Sequence, residues 1–258
     1  MRRFRRLVSR ANGAAGACAL AWREGGIGGV RRLVEDAAYW RLHPRVREWR
    51  AQLPHQEAID DAFDKRFGVD TAGEVPLAEV GISGSDVERG HGRYRPVWTS
   101  VFHEAMSTLA IRFERFTFID YGSGKGKALL LASEYPFDQI IGVEFARLLH
   151  DIAAQNIRQY ASPTMRCKAM RSECADALDF VPPPRPLVCF FFNPFDDATM
   201  DAVIAGLVGH PRKHPREIFV VYCNMRDVKE HLDAFRRRPG LELIAQRPRF
   251  LTFRAALT

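Results

Sequence analysis

No run of apolar residues in this 258-residue chain reaches the roughly 18–20 needed to cross a bilayer as a helix, so the sequence offers no transmembrane segment of that kind. Cysteine is sparse. The five present (Cys18, Cys167, Cys174, Cys189, Cys223) form no C-x-x-C pair and leave an odd one over. That argues against a disulfide framework and a zinc site, and points to a reducing, cytoplasmic setting. A phosphate loop of the form G-x-x-x-x-G-K-[ST] is also missing; Gly122-Ser123-Gly124-Lys125-Gly126-Lys127 has the wrong spacing. Clustered carboxylates or histidines at ligand spacing do not follow the chemical motifs, so no metal is expected.

With 47% hydrophobic and 27% charged residues, the composition is that of an ordinary globular protein. The net charge of +7 is unevenly spread: residues 1–50 hold 12 Arg against 4 acidic residues, and the other 208 hold 26 basic against 27 acidic. Steering of a polyanion by the whole protein is therefore not supported, and nucleic acid is not the expected partner. The opening Met-Arg-Arg-Phe-Arg-Arg has the flavour of a targeting segment, but Ala11–Trp22 is short and weakly apolar for a signal peptide. A solvated Arg-rich leader is the default reading, and weak contact of residues 1–50 with an anionic membrane surface is the alternative.

Three segments follow. Residues 1–52 form a basic helical leader, broken by the glycine run at 25–29, with an amphipathic pattern over Leu33–Trp49 that predicts a helix stopping before Pro44. Residues 53–112 read as a cap of short helices and loops, ending in a helix over Val97–Ala110. From residue 113 to 258, short apolar runs alternate with helical patterns. Strands are predicted at Phe116–Tyr121, Gln139–Glu144, Pro186–Phe192 and Glu217–Cys223, and another before Asp176. Helices are predicted at Gly126–Glu134, Ala146–Tyr160 and Asp197–Gly209. The last two apolar runs, Leu241–Gln246 and Arg249–Arg254, suggest an edge hairpin. The fold class is thus α/β: a doubly wound, mostly parallel sheet covered on both faces.

The chemistry concentrates at Asp120-Tyr121-Gly122-Ser123-Gly124-Lys125-Gly126, at the carboxyl end of the first of these strands. Ligands of open α/β sheets bind at that edge, at the topological switch point. A glycine-rich turn alone fits a nucleotide loop or simply a tight turn. Three features narrow it. Glu144 closes the second strand 24 residues after Asp120, where an acid accepts hydrogen bonds from ribose hydroxyls. The glycines are spaced G-x-G-x-G rather than G-x-G-x-x-G. Asp176, in Cys174-Ala175-Asp176-Ala177-Leu178, can accept from an adenine amino group. An acid ahead of the glycines discourages a pyrophosphate and suits a sulfonium or ammonium.

Residues 118–195 resemble the class I S-adenosylmethionine-dependent methyltransferases, with FIDYGSGKG, IIGVEFA, CADALDF and LVCFFFNPF in that family's order. The resemblance implies the seven-stranded fold of that family and S-adenosyl-L-methionine as cofactor. It places Asp120 near the methionine amino group, Gly122, Ser123, Gly124 and Gly126 under the methionine and ribose, Glu144 at the ribose and Asp176 at the adenine. A narrower similarity, to protein-lysine methyltransferases of the same fold, rests on Tyr94-Arg95-Pro96. Val97 stands where those enzymes carry a hydroxyl, with Thr99 or Ser100 as replacements. Asn193, Pro194 and Phe195 resemble the [DN]-P-P-[YF] element of amino-methylating enzymes without its second proline. That makes Asn193, Pro194 and Phe195 the expected catalytic residues, with Asn193 also beside the cofactor and aiming an amine at the methyl group, unless Asn193 and Pro194 only end the strand.

The expected activity is therefore methyl transfer, with a protein lysine first among acceptors. The alternatives are a small-molecule methyltransferase and a non-catalytic cofactor-binding module. His91 and His103 are candidate bases, and Tyr222 and Asn224 candidate lining of the acceptor pocket. His210 and His214 read as solvated, Cys189 as packing and Cys223 as inert.

Overall fold

The computed structural model describes residues 44–90, 92–208, 216–225, 228, 232, 235–238 and 240–255. Two compact units divide the chain, residues 1–52 and 53–258. The glycine run at 25–29, the expected amphipathic helix up to residue 43, His91, His210 and His214 lie outside the described residues.

The first difference from the sequence reading is α1, Pro44–Phe67. Pro44 sits at its first described position instead of beyond a helix end, which a proline tolerates because a first-turn N–H has no partner to lose. Residues 53–67, expected as short helices and loops, continue this helix through Pro54. Within it, Gln56 Nε2 donates to Asp60 Oδ1 at 3.2 Å, and Lys65 and Arg66 oppose the negative end of the dipole. Gly68, at φ +66°, follows its end. Phe63 and Phe67 pack on Tyr160. The rest of the cap is small: a two-residue ladder of β1 (Val75–Pro76) with β2 (Arg93–Tyr94), a 3₁₀ turn at Leu77–Val80, α2 (Ser85–Arg89) and α3 (Thr99–Ser107).

The core is the expected alternation: β3 (Thr117–Tyr121), α4 (Lys127–Ala132), β4 (Gln139–Glu144), α5 (Arg147–Gln159), β5 (Met170–Cys174), β6 (Leu187–Phe192), α6 (Asp197–Val208), β7 (Ile218–Cys223), β8 (Leu241–Arg247) and β9 (Phe250–Ala255). The sheet order is β5-β4-β3-β6-β7-β9-β8. All pairs are parallel except those of β9, which runs antiparallel to both β7 and β8. The apolar runs explain the middle of the sheet: β3 and β7 are buried throughout and β6 up to its last residue, as strands covered on both faces must be. Edge strand β5 is half exposed and carries the Arg171–Glu173 ion pair.

Successive side chains of β3 face opposite sides. Ile119 and Tyr121 join the cluster completed by Met200, Val203 and Ile204 of α6. Phe118 meets Phe102 of α3, whose ring also contacts Phe190 at 5.3 Å. Asp120 shares the Phe118 face, in register with Gly142 on one side and Phe190 on the other. Because β3 is joined onward to β4 while its other neighbour is β6, strand order reverses beside it. That reversal opens a crevice at the carboxyl ends of β3 and β6. No helix among the described residues is long and apolar enough to cross a membrane.

Candidate active site

The turn after β3 is built from hydrogen bonds to β4. The N–H groups of Gly122 and Ser123 both donate to the Val143 carbonyl, at 2.9 and 3.1 Å, and Gly126 N–H closes the turn on Ser123 O at 2.8 Å. Gly122 and Gly124 have φ of +77° and +52°. A β-carbon on Gly122 would lie 2.5 Å from Cβ of Pro194, and one on Gly124 would fall into the ring of Tyr94. Both positions are therefore set by close approach as well as by backbone angle. Gly126 differs: it abuts Ala153 of α5, which makes it a packing glycine between helices.

Two buried carboxylates flank this turn. Glu144 accepts from Gly124 N–H through Oε2 and from Ala146 N–H through Oε1, both at 2.8 Å. Burial pushes its pKa up to about 7, against the opposing pull of backbone N–H donors from Ala146, Gly124 and Phe145. Asp120 is also buried, and its Oδ1 has no hydrogen-bond partner among the described residues. Burial, then repulsion from Glu144, holds it well above the usual carboxylate range. An unpartnered buried acid is costly to ionise, so the position favours a ligand that brings a cation or a donor. Ser123 Oγ and Thr99 Oγ1 are likewise buried and without partners among the described residues. Ser100, the other hydroxyl considered as a replacement at Val97, is exposed.

Both lysines of the turn face away from the crevice. Lys125 Nζ donates to Asp70 Oδ1 at 2.7 Å and to the Ala72 carbonyl at 2.9 Å. Asn156 ties the same strap down, donating to the carbonyls of Asp70 and Lys125 and accepting from Asp70 N–H. Lys127 Nζ lies 3.7 Å from Asp60 and 3.3 Å above the ring of Phe63. Tyr94 completes the strap, its hydroxyl donating to Thr71 O at 2.7 Å. Thus residues 60–72 and Tyr94 cover the outer side of the glycine turn. The run that carries Lys125 and Lys127 is spaced wrongly for a phosphate loop, and the partners of both lysines are carboxylates and a carbonyl of the chain itself.

A narrow cleft, partly open to solvent, lies alongside. Gly122, Phe145, Asp176 and Phe195 line it, and so does Arg89. Asp176 Oδ1 accepts from Leu178 N–H at 3.0 Å, and Oδ2 accepts from Arg89 Nη2 at 2.7 Å. Arg89 and Phe145 were not singled out in the sequence. Phe145 could have been, as the residue following Glu144, whereas Arg89 comes from a five-residue helix 87 positions from Asp176, a pairing no local pattern encodes.

Asn193 has φ +43°, unlike every other non-glycine residue described. Its Oδ1 accepts from the Tyr222 hydroxyl at 2.6 Å, so the two ends of β6 and β7 are joined at the crevice. Pro194 packs on Gly122, and Phe195 is buried between the α6 cluster and the cleft. Asp196 then caps α6, accepting from Thr199 N–H at 2.8 Å. Tyr94, Gly122, Gly124, Glu144, Asn193, Pro194 and Phe195 are therefore joined by direct contacts around the turn, with Asp120 ahead of it and Asp176 across the cleft. His103 is bound elsewhere, with Nδ1 2.9 Å from the Tyr135 hydroxyl. Cys189 is core packing, and burial pushes the Cys223 thiol up, leaving no nucleophile there.

No protein-family model and no curated protein matches this sequence. Among solved structures it is similar to a dimethyladenosine transferase from Plasmodium falciparum (10% identity, TM-score 0.43, 62% of each chain covered). It is also similar to geranyl diphosphate C-methyltransferase from Streptomyces coelicolor, solved with S-adenosyl-L-homocysteine (12%, 0.45, 62% of this chain and 78% of that one). A third is an RNA methyltransferase from Salinibacter ruber, also holding S-adenosyl-L-homocysteine (13%, 0.44, 63% and 93%). The matched region spans less than two thirds of the length of the first of these. The fold is a seven-stranded, mostly parallel α/β sheet with β9 as its reversed strand, the architecture that the sequence resemblance implies.

Proposed function

We propose that the protein is an S-adenosylmethionine-dependent methyltransferase that N-methylates an amine, with a protein lysine side chain as its acceptor. The observation that carries the cofactor assignment is the pair of buried carboxylates on the glycine turn. Asp120 is left without a partner on Oδ1 among the described residues and is disfavoured as a bare anion, a position suited to the cationic methionine end. Glu144 uses one lone pair of each oxygen on a backbone N–H and keeps the others for ribose hydroxyls. Asp176, across the cleft, is the acceptor for an adenine amino group. Ser123 and Thr99 add unpartnered hydroxyls, and Gly122, Gly124 and Gly126 give the turn its shape.

When bound, S-adenosylmethionine supplies a methyl carbon already activated by its sulfonium. The chain's task is then to bring a neutral amine into line with it, and positioning alone can lower the barrier by several kcal/mol, on the order of 7 or more for well-aligned groups. The left-handed backbone at Asn193, fixed by the Tyr222 hydroxyl and by Pro194 against Gly122, holds a carbonyl edge at the crevice that can accept an amine N–H. Held there, an amine lone pair would take the methyl carbon as the cofactor leaves as its thioether, and the proton of the product ammonium would pass to solvent. A lysine must arrive deprotonated, which desolvation at the buried crevice favours. The lysine acceptor is supported by Tyr94-Arg95-Pro96, whose tyrosine ring packs on Gly124.

Two measurements test this. Calorimetric titration with S-adenosylhomocysteine should give saturable binding that Gly124→Arg and Glu144→Ala abolish; no binding by the intact chain refutes the cofactor. Transfer of a labelled methyl group to polypeptide is then expected. Label found only on free metabolites refutes the lysine acceptor, and binding without any transfer refutes the enzyme.

A further inference from the structure

Arg89 holds the two surfaces in the cleft that an adenine base would need. Its Nη2 donates to Asp176 Oδ2 at 2.7 Å, and its guanidinium carbon lies 5.4 Å from the centroid of the Phe145 ring. Both partners line the cleft, and Asp176 is the acid assigned above to the adenine amino group. The guanidinium is flat, cationic and rich in donors, so it satisfies Asp176 and covers Phe145 in the manner a base would.

Its backbone is fixed while its side chain is not enclosed. Arg89 O accepts from Asp196 N–H at 2.9 Å, tying the end of α2 to the start of α6, and Gly90 N–H closes on Asp86 O. The side chains of Arg89 and Asp176 remain 25% and 29% exposed, and Asp86 stands 3.7 Å from the guanidinium as a second carboxylate to which it can turn. The geometry points to a latch: Arg89 occupies the adenine slot and yields Asp176 and Phe145 when adenosine enters, moving toward Asp86 without any shift of the main chain. Arg89 thereby sets the affinity of the cleft for its cofactor. This inference rests on the cofactor reading above.

The test is calorimetric titration of the full chain with S-adenosylhomocysteine, comparing wild type, Arg89→Met and Arg89→Lys at low and high salt. A half-exposed ion pair and a cation–π contact each contribute modestly, so their loss is expected to tighten binding about tenfold in Arg89→Met and about threefold in Arg89→Lys. Salt screens the pair that competes with the ligand. Wild-type affinity should therefore rise with ionic strength, and that of Arg89→Met should not. Equal or weaker binding by Arg89→Met, with wild type still binding, overturns the latch and leaves the cofactor reading standing. Absence of binding in all three proteins overturns both.

Discussion

The ring of Tyr94 lies directly on the α-carbon of Gly124, so that a β-carbon there would sit among the ring atoms. One residue from the cap thus fixes the outer wall of the turn that carries the site, and the tyrosine hydroxyl is in turn held by Thr71 O.

Gly124→Ala is therefore expected to fail twice over. At φ +52° an alanine pays the left-handed cost of about 1–2 kcal/mol, and its methyl group collides with Tyr94. Cofactor binding should be lost and the melting temperature lowered. Adding Tyr94→Ala removes the collision but not the backbone strain. The double variant should then be less destabilised than the sum of the two single ones, which denaturant titrations of the four proteins would read as a coupling energy. Simple additivity would mean that the ring and the turn are independent.

Glu144 makes the site sensitive to pH near neutrality. With its pKa raised to about 7, the carboxylate that accepts ribose hydroxyls is only partly ionised below that point. Affinity for S-adenosylhomocysteine should strengthen as pH rises from 6 to 8, and Glu144→Gln should bind more weakly with a flat profile. The stability effect has the opposite sign. A carboxyl whose pKa is raised on folding binds its proton more tightly when folded, so its contribution to stability falls between the unfolded value near 4.3 and about 7. Opposite slopes for binding and for stability over this range, both removed in Glu144→Gln, are the expected signature.

The core was legible because its signals are local. Apolar runs such as Leu187–Phe192 and Ile218–Cys223 can only be strands covered on both faces, and the glycine turn with Asp120 and Glu144 lies within 25 residues of chain. The cap was not legible for the converse reason. Residues 53–67 carry no continuous apolar stripe and include Pro54, yet they are helical because Phe63 and Phe67 find Tyr160, and Asp60 finds Lys127. Those partners lie about 65 or more residues away, beyond any helical period. Arg89 eluded the sequence on the same ground, as did the direction of Lys125 and Lys127. The glycine spacing already excludes a phosphate loop, but only the fold supplies Asp70 and Asp60 as the partners of these lysines.

Lys127 is almost fully buried, and burial holds its ammonium down to about 8 despite the attraction of Asp60 and Asp64. A lysine depressed on folding weakens the folded state wherever it is protonated, at pH 8 and below. That penalty is relieved as pH rises toward the unfolded value of about 10.4. Between pH 8 and 10 wild type should thus gain roughly 2 kcal/mol relative to Lys127→Met, in which the titrating group is gone. Because both proteins keep the same buried tyrosines, the difference between their urea midpoints isolates the lysine. Parallel curves across this range would show that Lys127 is not titrating in the folded protein.

The bond from the Tyr222 hydroxyl to Asn193 Oδ1 should matter more for turnover than for cofactor binding, since it lies at the carboxyl ends of β6 and β7 and not on the glycine turn. Tyr222→Phe keeps the ring that packs on Phe235 and removes only the donor. The hydroxyl also bonds the Asn224 side chain, so the change costs at least about 1–2 kcal/mol of stability. The freed Asn193 side chain no longer holds its neighbouring carbonyl at one angle, so kcat for methyl transfer should fall at least about tenfold. Affinity for S-adenosylhomocysteine should change less than about twofold, because no residue assigned to the cofactor's sugar or base is touched. Steady-state kinetics and calorimetry on the same preparation separate the two effects. A variant that loses cofactor affinity and turnover in equal measure would place Tyr222 in the cofactor site instead of behind the acceptor.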